Sequence, residues 1–221
     1  MTMAINFDDV QFSTNPEPRC PCVLLLDTSG SMAGAPISEL NVGLQTFARE
    51  LATDRLAMLR VEIAIIGFGP VAVVQDFVTA SHFTPPTLQA RGDTPLGTAL
   101  NLALDRLEQR KQAYKQNGIS YYRPWVFLIA DGQPTDGEVW RVAARRLQEA
   151  EGNKKLAFFA VGVEGADMAM LGQLSTRQPL KLRGLSFREL FTWLSSSLSS
   201  VSHSIPGETV PLQSPAGWGE I

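Results

Sequence analysis

Cysteine and histidine are scarce in this chain, two of each in 221 residues. Both cysteines fall in Cys20-Pro21-Cys22, just ahead of the first expected strand. A bridge across one intervening proline would be strained, so the expectation is two free thiols in a reducing compartment, dispensable for folding. The histidines, His82 and His203, fall in a strand-exit loop and at the end of the closing helix, and are expected at the surface. No nucleophile stands beside a recognisable base. Charge excess is also missing: 22 acidic against 19 basic residues give a formal net charge of −3. That balance offers no phosphate-binding surface, so nucleic acid is not an expected partner. No apolar run approaches the ~20 residues that cross a bilayer. Met1 to Asp9 lacks the basic and apolar regions of a secretory signal, which points to the cytoplasm and away from a membrane. What remains is an ordinary globular composition, 44% hydrophobic with a mean hydropathy of +0.00. One α/β domain of this length can bury roughly 70% of its unfolded surface.

The most informative stretch is Val23-Leu24-Leu25-Leu26-Asp27-Thr28-Ser29-Gly30-Ser31-Met32. Four aliphatics bounded by turn residues read as a strand buried on both faces. Asp27, Ser29 and Ser31 then occupy alternate positions, where a loop curling over the strand end can converge them on one point. A carboxylate and two hydroxyls are hard donors that suit Mg²⁺ rather than zinc or copper. An Asx/Ser turn capping the next helix fits these ten residues equally well. Arg91-Gly92-Asp93-Thr94-Pro95-Leu96-Gly97 adds a third hydroxyl, Thr94. Val126-Phe127-Leu128-Ile129-Ala130-Asp131-Gly132 repeats the strand-then-aspartate design and adds Asp131.

In order and spacing this set resembles the von Willebrand factor A (VWA) domain and its metal-ion-dependent adhesion site. Within that family the chain is most similar to the bacterial tellurium-resistance-associated TerY-type proteins, over roughly residues 16 to 203. The resemblance implies that Asp27, Ser29, Ser31, Thr94 and Asp131 hold a divalent cation, Mg²⁺ first with Mn²⁺ or Ca²⁺ as alternatives. It also implies that a Glu or Asp of a partner protein completes the metal's shell. A role in bacterial stress response, with a protein phosphatase and a kinase as associates, follows from the same analogy.

Along the chain, strand and helix alternate. Ile37, Leu40, Leu44, Phe47 and Leu51 mark an amphipathic helix. Strands follow at 61–67 and 71–78, close enough to form an antiparallel hairpin at the sheet edge. Their junction, Gly67-Phe68-Gly69-Pro70-Val71-Ala72, matches a dinucleotide-binding pattern, but strand-like sequence follows where that mechanism needs a helix. A helix begins after Thr94, where Thr-Pro is also a good cap; the family resemblance decides for ligand. Arg91-Gly92-Asp93 matches an integrin-binding tripeptide by chance, and a polar segment is expected from Gln109 to Arg123. Asp136 is expected to cap the helix that follows it rather than to bind metal. Further strands at 155–163 and 179–182 and a closing helix through Phe187, Leu190, Leu194 and Leu198 complete the domain.

The expected fold is α/β: a doubly wound, mostly parallel sheet with one antiparallel edge strand and helices on both faces. Residues 1–19 form a lead-in, 20–203 the VWA domain and 204–221 a Pro/Gly-containing tail. Trp218 in that tail either folds back onto the domain or is received by a partner, and is a candidate partner-binding residue. A non-enzymatic, metal-dependent adaptor is the expected function. The rivals are a metal-dependent phosphohydrolase, which would want a second carboxylate where Ser29 stands, and a scaffold whose metal is purely structural.

Overall fold

The computed structural model describes residues 12–131, 133–215 and 217–220. The expected lead-in and the segment read for a signal therefore lie mostly outside the described residues. Strand β1 (Cys20–Asp27) is the centre, and all eight of its residues are buried. The unbroken aliphatic run Val23–Leu26 suits a strand with both faces covered. It pairs in parallel with β2 (Val61–Phe68) on one side and with β4 (Trp125–Ala130) on the other. The full order is β3-β2-β1-β4-β5-β6-β7, with β3 (Ala72–Thr79), β5 (Ala157–Gly162), β6 (Leu180–Leu182) and β7 (Gly219–Glu220). β3 is antiparallel to β2 at one edge, as the short hairpin requires. At the other edge β7 is antiparallel to β6, so the end of the tail adds a second such strand.

Two helical layers cover the sheet. Alternate β1 residues Cys20, Cys22, Leu24 and Leu26 face α1 (Ala35–Leu51) and α6 (Phe187–Ser202). Short α2 (Arg55–Arg60) adds Ala57 to that face. Val23 and Leu25 face α3 (Leu96–Gln116), α4 (Glu138–Gly152) and α5 (Met168–Gly172). The chain thus leaves β1 for one face and neighbouring β4 for the other. Two adjacent parallel strands whose connections diverge make a switch point, where α/β sheets place their ligand sites.

Three expectations are corrected here. β1 starts at Cys20, so Cys20 and Cys22 sit inside the strand, fully buried, rather than ahead of it. They are free thiols, and burial pushes Cys20 up to about 12 and Cys22 well above its usual value. Helix α3 continues to Gln116, through residues expected as a polar segment. Its buried face there carries Arg110, Lys111 and Tyr114, polar side chains that a hydropathy pattern assigns to solvent. Arg110 Nε donates to Glu62 at 2.8 Å, and Arg19 Nε donates to the same carboxylate at 2.9 Å. Finally, Trp218 folds back onto the domain. It is 2% exposed and packs on Trp193 with ring centroids 5.3 Å apart, so it presents no face to a partner.

Candidate metal centre

Asp27 ends β1, and Asp131 follows β4 directly; the Leu26–Ile129 register sets the two strand ends side by side. Asp27 Oδ1 accepts the backbone N–H of Ser29 at 2.9 Å, which curls the loop back over the strand end. The chain then enters a short 3-10 turn, Gly30–Met32. Ser29 Oγ lies 2.9 Å from Ser31 Oγ, and Ser31 Oγ donates to Asp131 Oδ1 at 2.9 Å. Asp27 Oδ2 also accepts the backbone N–H of Asp131, at 3.4 Å. Four of the five expected ligands therefore form one chain of contacts across β1 and β4.

Thr94 comes from a third loop, the one that leads into α3. Its backbone N–H donates to Thr135 Oγ1 at 3.1 Å, and its carbonyl accepts the Thr135 N–H at 2.9 Å. This two-way bridge ties the loop before α3 to the loop after β4. The capping role weighed for Thr94 is not taken up. Pro95 occupies the N-cap of α3, and among the described residues Thr94 Oγ1 has no hydrogen-bond partner. Asp136 supplies that helix instead: Oδ2 accepts the Thr98 N–H at 2.7 Å and the Thr98 hydroxyl at 3.1 Å. The expectation that Asp136 caps the following helix is corrected, because Gly137 stands at the N-cap of α4. Free backbone N–H groups of α3 lie within its reach, and a carboxylate near a helix start is favoured by the dipole.

Sequence reasoning missed what braces the loops. Arg91 N–H donates to the Thr28 carbonyl at 2.7 Å, and Gly30 N–H to the Gly92 carbonyl at 2.9 Å. Gly69, part of the misleading dinucleotide pattern, has φ 132. A Cβ there would stand 2.6 Å from Ser29 N and 2.7 Å from the Arg91 carbonyl oxygen. Its glycine serves backbone contact between three loops, not a phosphate. Thr135 had no signal beyond its place in a turn-rich stretch.

The electrostatics follow from two carboxylates at one buried point. Asp27 is fully buried, and burial pushes its carboxyl up to about 6; hydrogen bonds from Ser29 oppose the shift and the Asp131 charge adds to it. Among the described residues, no three His, Cys, Asp or Glu gather as a metal cluster, so any centre here must recruit hydroxyls. Two carboxylates with three hydroxyls make such a set, composed wholly of oxygen, and it fits a hard divalent cation.

The von Willebrand factor type A domain family matches residues 22–188. The chain belongs to that family. Among solved structures, the VWA chain is similar to proximal thread matrix protein 1 from the mussel byssus. Identity is 17% with a TM-score of 0.57, over 83% of this chain and 48% of that one. A further structure of the same mussel protein, described as having a zinc-occupied MIDAS motif, is 16% identical with a TM-score of 0.56 over the same shares. The pilus adhesin SpaC from Lactobacillus rhamnosus GG, in its open conformation, is 11% identical with a TM-score of 0.65, over 83% of this chain and 30% of that one. This VWA chain thus spans less than half the length of the structures it resembles, and at these identities the likeness is one of fold. No curated protein matches the sequence. No helix among the described residues is long and apolar enough to cross a membrane.

Proposed function

We propose that Asp27, Ser29, Ser31, Thr94 and Asp131 hold one divalent cation, Mg²⁺ with Mn²⁺ or Ca²⁺ as alternatives, and that the VWA domain uses it to capture an acidic residue of a partner protein. The observation that carries this reading is the chain of contacts that joins Asp27, Ser29, Ser31 and Asp131 at the switch point, with Ser31 exposed and Asp131 partly so, and with the Thr94 loop braced against it through Gly92 and Thr135. Two carboxylates only neutralise a divalent charge, and the three hydroxyls are weak donors. A cation bound there supplies positive charge and room for one more anionic oxygen. The chain's own part is to hold the donors in place: Ser29 N–H orients Asp27, Ser31 orients Asp131, and Thr135 fixes Thr94.

A binding role fits better than phosphoryl transfer. Ser29 stands where an aspartate-nucleophile phosphatase needs its second carboxylate. His82 is held by Thr79 at 2.9 Å and His203 by Asp54 at 2.9 Å, leaving neither beside the site as a base. The finer placement rests on sequence resemblance alone. It is a bacterial, cytoplasmic adaptor of TerY type, in a tellurium-resistance or stress system with a phosphatase and a kinase. Capture of a partner from bacterial lysate should be lost with EDTA, restored by Mg²⁺ or Mn²⁺, and absent for Asp27→Ala. Capture that survives EDTA unchanged would remove the metal from the mechanism. Phosphatase activity that needs the metal would favour the enzymatic rival.

A further inference from the structure

The net charge of −3 conceals a concentration of positive charge far from the metal site. α3 and α4 pack together, begin near the metal loops, and end at the opposite edge of the sheet, where β4 and β5 start. At 21 residues, α3 alone carries the chain about 30 Å from one end to the other. Between the helix ends a cleft of about 450 Å³ is lined by Lys111, Lys115, Arg123, Lys154 and Lys155, with Glu108 its one acid. It continues through Glu108, Lys111 and Lys155 into a groove of about 300 Å³ between the helices, floored by Leu104, Leu107, Ala150 and Leu156.

The charge balance decides what this surface attracts. Lys111 Nζ donates to Glu108 at 2.7 Å, which uses up the single acid. Arg123 donates to the carbonyls of Leu156 at 2.6 Å and Glu151 at 3.2 Å, and so keeps its net charge. Lys115, Lys154 and Lys155 have no salt bridge among the described residues and are exposed. Four cations remain. The carbonyl ends of α3 and α4 contribute about −0.5 each, so roughly three positive charges stay uncompensated in the cleft; Glu149 on the adjoining groove, where Arg146 is paired with Asp105, lowers the balance of the whole surface to about two. Burial first, then the Arg177 charge, lowers the Arg123 guanidinium from its ordinary value, and the Glu151 carboxylate opposes the shift.

Lysines are common near helix C-termini, where they oppose the dipole, and that could account for each of them singly. Lys154 resists that account. Its φ is 55, the left-handed position just past α4 where helices usually place glycine. Its N–H and that of Lys155 donate to the carbonyls of Glu151 and Ala150 in closing the helix. Lys154 is the one described non-glycine residue with positive φ. An ammonium is kept there against backbone preference, which points from strain towards function.

We propose that this cleft is a second docking surface, which binds an acidic segment of a partner protein: carboxylates among the lysines, and an apolar side chain in the groove between α3 and α4. A concave site with an apolar floor suits a peptide better than a flat membrane. The apolar floor of Leu104, Leu107, Ala150 and Leu156 has no counterpart in a phosphodiester backbone, which favours a protein segment over nucleic acid. The surface uses none of the metal-site residues.

The test is fluorescence anisotropy with a labelled peptide of one leucine followed by a run of glutamates, in low salt with EDTA present to exclude capture through a metal. The full chain should bind it saturably, more weakly as salt rises, and should not bind the glutamine counterpart. Each lysine removed should weaken binding about two- to fivefold, the range of exposed charge pairs. Lys154→Gly separates the two explanations, since it should weaken binding while leaving the thermal midpoint equal or higher. A lysine that serves only the helix end would show a lower midpoint and unchanged affinity. The idea is overturned by absent binding, by equal binding of the glutamine peptide, or by unchanged affinity in a Lys115→Gln/Lys154→Gly/Lys155→Gln variant. Tighter binding of a single-stranded oligonucleotide would overturn the protein segment as occupant.

Discussion

Glu62 is a strand residue whose charge has no access to water, and replacing it by alanine should be among the most damaging single changes outside the metal loops. Its carboxylate is fully buried between β2, β1 and α3. It accepts Arg19 Nε at 2.9 Å, Arg110 through two nitrogens at 2.8 Å each, and the Tyr114 hydroxyl. Arg19 is itself fully buried, and Arg110 is 6% exposed with its guanidinium 4.8 Å from the Phe12 ring centre. Glu62→Ala therefore removes the one carboxylate that both buried guanidiniums share. Breaking a buried pair by removing one partner destabilises by about 3–5 kcal/mol. For a chain of this length each kcal/mol moves the midpoint by about 2–4 °C, so the expected fall is roughly 6–20 °C. Arg19 keeps the carbonyls of Asn15 and Glu17, which favours the lower half of that range. Urea and thermal unfolding, followed by circular dichroism, measure it. A loss below about 1 kcal/mol would refute the reasoning, because it would mean that water already reaches the cluster.

Other changes probe other parts of the fold. Cys20→Ser with Cys22→Ser should destabilise, by about 1–3 kcal/mol for each hydroxyl left unpaired in the core, measured by urea midpoint. Gly97→Ala places a Cβ 2.3 Å from the backbone of Trp140, so α3 and α4 must separate. The expected loss is about 1–3 kcal/mol, by the same assay. Trp218→Ala removes the ring packed on Trp193 and should cost about 3–5 kcal/mol, with altered tryptophan fluorescence of the folded state.

The sheet and its switch point were legible because the strands that build them are rich in aliphatic residues, and the loop that joins Ser29 and Ser31 to Asp27 because a short-range pattern, Asp27-x-Ser29-x-Ser31, sits at the end of one. Asp131 was legible as a second strand-then-aspartate, but the assignment of Thr94 as a ligand rather than a cap came only from family resemblance, since nothing local shows which loops meet. What stayed hidden was polar or irregular. Arg110 and Tyr114 look like a solvent face until Glu62, 48 and 52 residues away, is seen to receive them. Trp218 belongs to the core through its packing on Trp193 of α6, and Trp193 Nε1 also anchors the tail by donating to the Gln213 carbonyl at 3.0 Å; tail composition encodes neither contact. The cysteines were misplaced because the strand was read from its aliphatic run at Val23, whereas it starts three residues earlier, with every side chain buried. Asp136 was assigned to the nearer helix although its oxygen reaches the farther one, a tertiary choice that spacing cannot express.

The most direct test of the account is calorimetric titration of Mg²⁺ and Mn²⁺ into the chelator-treated protein, wild type beside Asp27→Ala and Thr94→Ala. The account predicts one saturable site in the wild type, weaker binding in Thr94→Ala with folding intact, and none in Asp27→Ala. Adding a carboxylate-bearing partner should tighten the wild-type site by the same factor as metal tightens the partner, typically about 5- to 150-fold for linked sites. Undiminished binding of one metal ion by Asp27→Ala, or no saturable binding by the wild type, would contradict it.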